Sequence, residues 1–200
     1  MQQINPESGS TNTDCMTGLT KKKRVSREQW LSNALKLFAV HGADGLRVEL
    51  LAKSLRIAKS GFYCHFSGRD DLLGEILDYW CHEYTEVITE NALLKASRPR
   101  ERIYLAMVMV FEQNLTEYDA AIDLWSRTDK AVARKRKQAI NKRLAFFRDA
   151  FGELGFKGDD LEMRTQVCAV FQMGERQILG ADRKAAEKMR DQRLTMLLGE

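Results

Sequence analysis

Residues 47 to 66, RVELLAKSLRIAKSGFYCHF, set two short apolar-periodic segments on either side of a three-residue break, a pattern that commits the chain to a tight corner between helices. In the first segment Val48, Leu51, Ala52 and Leu55 recur at helical spacing, so one face buries while Glu49, Lys53 and Ser54 stay wet. Arg56, Ile57 and Ala58 make the break. The second segment runs from Lys59 to Phe66. Phe62 and Phe66, four residues apart, pin it to a core and leave Lys59, Ser60, Gly61, Tyr63 and Cys64 facing outward. This is the pattern of a helix-turn-helix. A helix enters a major groove only where its exposed residues are short beside base edges, while Lys, Tyr and His reach phosphates.

The rest of the chain reads as an arm, a small helical domain and a larger helical one. Residues 1–24 are rich in Gly, Ser, Thr and Asn and end in Lys21-Lys22-Lys23-Arg24, the composition of a disordered basic arm. Two readings of the arm stand: its basic end tracks phosphate or enters a minor groove, or it is a solvated tail. A reading domain over 25–70 and a larger domain over 71–200 follow. Ser26 with Gln29 three residues on makes a capping box, with Val25 stapled onto Trp30. Leu31, Ala34, Leu35 and Phe38 continue that buried stripe, and Gly42 closes the helix as a left-handed cap. A long helix opens near Ser67 and runs through Trp80 and Tyr84 to Leu94. Pro6 and Pro99 are the only prolines, so helices run freely between and beyond them. Further helices are expected over about 103–115, 120–126, 130–154, 160–179 and 182–198, giving an all-α fold of about nine helices. In the helix near 130–154, Arg134 to Lys137 with Lys142 and Arg143 form an outer basic face, read first as solvated.

Composition narrows the class. No apolar run approaches the roughly twenty residues of a membrane span, and the polar start is unlike a signal peptide, so a cytoplasmic location is expected. Cys15, Cys64, Cys81 and Cys168 are scattered, without the spacing of a zinc site or a disulfide framework. No nucleophile–base pair, metal-ligand spacing or phosphate loop stands out around His41, His65 and His82. Neither catalysis, metal nor cofactor is expected. The formal charge of +4 is unevenly spread: residues 1–66 carry ten Lys and Arg against five Asp and Glu, and the remainder is slightly acidic. The positive field therefore sits on the reading segment.

At these residues the chain resembles the TetR/AcrR family of bacterial transcriptional regulators. The resemblance is carried by Phe38 to Gly42, by Leu51-Ala52, by the run from Ala58 to Phe66, and by Arg69-Asp70-Asp71-Leu72-Leu73 at the entry to the next helix. It covers about residues 26 to 80. Two positions depart from the family pattern. Ala58 stands where Ser or Thr usually caps the recognition helix, forfeiting about 0.5 to 2 kcal/mol, and Arg56 stands where the turn usually has Gly, so it must avoid positive φ or accept strain.

The resemblance implies a palindromic double-stranded operator, a homodimer paired through the last two helices, and a small-molecule effector bound in the larger domain. Carried over with the chemistry of each side chain, it assigns Lys59 to phosphate or guanine, and Ser60 and Gly61 to close approach at base edges. Tyr63, His65, Arg47 and Arg69 are assigned to phosphate, with core packing the alternative for Tyr63 and His65 and plain surface charge the alternative for Arg47 and Arg69. Candidate effector-lining residues are Trp80, Tyr84, Met107, Phe111, Glu112, Trp125, Phe147 and Phe171, with Trp125 foremost because its indole can face a cavity and donate a hydrogen bond. For the aromatic and Met residues plain core packing is the alternative reading. The implied function is a sequence-specific regulator of transcription, chiefly a repressor. The rival is a helical adaptor or nucleoid-associated protein of weak sequence specificity.

Overall fold

The computed structural model describes residues 25–199, so the basic arm lies outside the described residues. Every regular element among them is helical: α1 (Arg27–Gly45), α2 (Val48–Leu55), a 3-10 turn (Lys59–Cys64), α3 (Arg69–Cys81), a π-helical segment (His82–Glu86), α4 (Val87–Thr89), α5 (Ala92–Ala96), α6 (Pro99–Glu112), α7 (Asp119–Ser126), α8 (Lys130–Glu153), α9 (Gly158–Leu179) and α10 (Arg183–Leu198). No helix of the described residues is long and apolar enough to cross a membrane.

α1 begins where the capping box places it, with Ser26 and Gln29 each accepting from the other's backbone N–H. Trp30, Leu31, Ala34, Leu35 and Phe38 form its buried stripe. Its end differs from expectation. Gly42 does take a positive φ, of 69°, but its ψ of 179° is extended rather than left-handed helical, so the chain kinks and adds one more turn to Gly45. Arg69 closes that turn by donating from Nε to the Leu46 carbonyl at 3.2 Å and from its terminal nitrogen to the Ala43 carbonyl.

The long helix expected from Ser67 to Leu94 is divided. A π-helical segment follows Cys81, and Asn91 starts a fresh helix by accepting from the N–H groups of Leu93 and Leu94 at 3.0 and 3.1 Å. The cap's local hydrogen bonds outcompete continuation of the helix. Farther on, the expected stop at Leu154-Gly155-Phe156 is present: Gly155 has φ 96°, and Phe156 returns onto Phe151 with ring centroids 6.1 Å apart.

Two apolar clusters result. One holds α1, α2, the 3-10 turn and α3, and takes in Tyr118, Ile122, Val132 and Ala139 from α7, α8 and the residue before α7. The other joins α6, α8, α9 and α10 around Met107, Phe147, Phe151, Cys168 and Leu194. The first cluster thus crosses the boundary near residue 70, and Trp125 of α7 lies against Phe38 of α1 at 5.0 Å between centroids. The basic face of α8 is partly neutralised within the chain. Lys135 pairs with Asp78, Arg136 with Asp123, and Lys142 with Glu86 and Glu90. Arg143, placed on that outer face from sequence, turns inward, its side chain only 13% exposed.

Arg56 accepts the strain left open to it, with φ 57° and ψ 45° in the left-handed region. A side chain there costs about 1–2 kcal/mol, whereas glycine's extra unfolded-state entropy costs about 0.5–1 kcal/mol. Arg56→Gly is therefore expected to stabilise the fold by about 0.5–1 kcal/mol, read as a higher denaturant midpoint at unchanged slope. A lower midpoint would show that the arginine compensates its strain with contacts.

Candidate functional site

The candidate reading surface is built on an aromatic anchor. Phe62 and Phe66 are almost wholly buried, and Phe62 meets the Trp30 ring edge-on at 5.7 Å and Phe66 at 5.1 Å. With those rings fixed inside, Lys59, Ser60, Tyr63 and Cys64 lie exposed, with Tyr63 at right angles to Phe62. The segment is a 3-10 turn rather than the expected α-helix. Gly61 N–H donates to the Ala58 carbonyl and His65 N–H to Phe62, both three residues back, and Ala58 supplies no side-chain cap. A tighter winding is the usual form of a short helical end without capping side chains.

Glycine at 61 is not demanded by the fold. A Cβ there would sit 3.8 Å from Ile57 Cδ1 and Trp30 Cζ2, ordinary contact distances. Arg47 is exposed at the start of α2 with no capping bond of its own, and His65 is half-buried beside Phe66. Arg69 is partly committed: its side chain is 38% exposed while it closes α1, and it also approaches Asp44 and Asp70.

Lys59 carries a partner that sequence reasoning missed. Its ammonium forms an ion pair with Glu49 of α2, which raises the lysine's pKa and lowers the glutamate's, chiefly through the hydrogen bond between them. Spacing hides this contact, because the two residues are ten positions apart with the corner between them. A phosphate approaching Lys59 competes with Glu49.

A second candidate site lies among the helices after α3. A cavity of about 220 Å³ opens between the π-helical segment, α4, α6, α8 and α9, lined by Tyr84, Thr85, Ile88, Thr89, Phe147 and Gln172 among others. Of the eight residues proposed from sequence, Tyr84 and Phe147 line it. Trp80 lines an adjoining groove with Asp119 and Gly174. The other five sit elsewhere. Met107 is fully buried core. Phe111 packs beneath the guanidinium groups of Arg176 and Arg190. Glu112 pairs with Arg183, and Phe171 lies 3.3 Å under the Arg193 guanidinium. Trp125, foremost from sequence, packs on Phe38 of α1 and is not among the residues that line this cavity.

At the cavity wall, Arg143 donates from Nε to the Thr85 hydroxyl at 2.9 Å and from its terminal nitrogens to the Tyr84 carbonyl and the Asp119 carboxylate. Trp80 Nε1 donates to the same carboxylate at 3.1 Å. Gln172 is only 4% exposed, and neither its Oε1 nor its Nε2 has a partner. The signal that could have found it is a polar residue on the buried stripe Thr165, Cys168, Ala169, Gln172, Glu175.

An exposed turn anchored by aromatic rings after α2, in a chain whose described elements are all helical, has the geometry of a helix-turn-helix. Residues 31–76 match the family described as bacterial regulatory proteins, tetR family. The match covers the segment from α1 into α3 and is a similarity of that segment. The chain is also 30% identical over 95 residues to the uncharacterized HTH-type transcriptional regulator YuxN of Bacillus subtilis (strain 168). That match takes in 47% of this chain and about a third, 32%, of the relative's length. Two solved structures share the fold at low identity. FadR of Bacillus subtilis, in complex with stearoyl-CoA, is 16% identical with a TM-score of 0.61 over 86% of this chain and 98% of that one. AibR, in complex with isovaleryl coenzyme A and operator DNA, is 18% identical with a TM-score of 0.60 over the same shares, 86% and 98%.

Glu49→Gln is expected to tighten DNA binding about two- to fivefold at low salt, the size of one exposed ion pair, with the gain fading as salt screens it. Titration of fluorescent duplex DNA at two salt concentrations checks this. A loss of affinity would mean that Glu49 orients Lys59 for DNA instead of competing with it.

Proposed function

We propose that this protein is a sequence-specific DNA-binding regulator of transcription, working in the cytoplasm as a homodimer and acting chiefly as a repressor. The observation that carries the reading is the exposed Lys59–Cys64 turn, held in place by Phe62 and Phe66 and offering a short-residue centre with Lys59 and Tyr63 beside it. Ser60 and Gly61 meet base edges, while Lys59, Tyr63, His65 and Arg47 hold phosphate; Arg69 supports the surface by closing α1 and lends its remaining donors. The cavity of the larger domain takes a small-molecule effector. The acyl-CoA complexes of two structural neighbours and the operator DNA of one support this division of labour.

Pairing is supported by the outer face of α9. Met163, Val167, Val170 and Ile178 recur at helical spacing and are exposed, Val170 at 69% and Ile178 at 75%, with Gly174 open between them. Such a stripe on a long helix fits a second copy of the same helix. A two-fold pair of reading turns spaced about 34 Å apart then engages successive major grooves of a palindrome.

Selection of bound sites from random duplexes is expected to return a palindrome with half-sites about one helical turn apart, bound with a log–log salt slope of about −0.9 per phosphate contact. Ile178→Asp is expected to give a monomer by sedimentation and to weaken operator binding by about tenfold or more. A wild-type monomer at micromolar concentration, or binding with no sequence preference, would favour the adaptor reading.

A further inference from the structure

The cavity's polar groups identify the chemical class it takes. Among the described residues that line it, Arg143 and Tyr84 are the only ionisable ones. The Arg143 guanidinium is already neutralised by Asp119, both side chains being nearly buried, and its remaining bonds go to Thr85 and the Tyr84 carbonyl. Tyr84 stays a neutral phenol, because burial pushes its pKa up to about 12. The wall therefore holds no uncompensated charge. A carboxylate entering it would lose its hydration without gaining a free cation, unless it displaced Asp119.

Two groups in the same wall do lack partners. Gln172 has an amide acceptor and an amide donor both unmet, and the Thr89 hydroxyl is buried and unpaired. Buried polar groups are normally satisfied, so these point to a ligand head that both accepts and donates. The cavity, 220 Å³ and otherwise largely aliphatic and aromatic, is about half as large again as one that holds benzene, which sets the occupant at about ten non-hydrogen atoms.

We infer that the cavity takes an uncharged, compact apolar molecule with one hydrogen-bonding head, of the class of a medium-chain amide or ester, which pairs with Gln172. This rests on the reading of the cavity as a ligand site and adds which chemistry it accepts.

The matched probes are octanamide and octanoate, equal in size and differing in charge, titrated calorimetrically into the full-length protein at pH 7. Octanamide is expected to bind about tenfold or more tightly, the discrimination available to a site that leaves a charge unpaired. Octanoate binding is expected to strengthen as pH falls towards the carboxyl range and the neutral acid grows in, while octanamide binding stays level. Gln172→Met is expected to bring the two affinities towards each other, with a thermal melt confirming that the variant folds. The wild-type pH series tests the inference even if that variant does not fold. Equal or tighter binding of octanoate at pH 7 overturns the inference and leaves the cavity as a ligand site for anions, and an unchanged preference for octanamide in folded Gln172→Met overturns the pairing with Gln172. Failure of both probes to bind overturns the ligand-site reading and the inference with it.

Discussion

The edge-on contact of Phe62 with Trp30 decides which side of the corner after α2 meets solvent. Lys59–Cys64 is a single tight turn with no side-chain cap, too short to hold its own conformation by backbone hydrogen bonds alone. Its position is set by Phe62 and Phe66 sinking into the core of α1 to α3. Once those rings are inside, the side chains between them have no alternative but outward. The reading surface is thus a product of burial, and the absence of a cap at Ala58 is tolerable because tertiary packing replaces it.

The same core extends towards the cavity through contacts that can be followed residue by residue. α1 carries Trp30 at one end and Phe38 farther along, and Phe38 holds Trp125 of α7. α7 begins at Asp119, whose carboxylate ties Trp80 of α3 to Arg143 in the cavity wall. The turn and the cavity therefore share one packed frame. Tyr84, which lines the cavity, sits in a π-helical segment, a winding that interrupts regular helix bonding and recurs where a helix wall serves a site. A ligand changes DNA affinity only so far as it binds two arrangements of that frame unequally.

Much of the amino-terminal half was legible in the sequence because its signals are local. The capping box at Ser26, the buried stripe of α1, the four-residue spacing of Phe62 and Phe66, and the break at Arg56, Ile57 and Ala58 all lie within one or two turns of chain. The signals that misled were equally local but overruled at longer range. Gly42 kinks rather than caps, because Arg69 supplies the closing donors from 26 residues away. The helix after Ser67 ends at Asn91, whose capping ability reads as neutral polarity until its turn is seen. The cavity was the least legible feature. Its wall draws on five elements, and aromatic bulk pointed to Trp125 and Phe111, which pack as core and under arginines. Arg143, which read as ordinary helix surface, and Gln172, which the sequence reading passed over, line it instead.

The most direct test of the account is disulfide exchange between Cys64 and a base at the centre of a selected half-site that carries an activated mixed disulfide, from which the Cys64 thiolate displaces the small thiol. Cys64 is exposed on the reading turn, whereas Cys81 and Cys168 are buried, with thiol pKa values pushed up to about 11 and 12. With Cys15 replaced by serine, the account predicts capture through Cys64 in both half-sites, with the other two thiols silent. DNA bound at the same site without capture, while Cys64 still reacts with small thiol reagents in the complex, would contradict it.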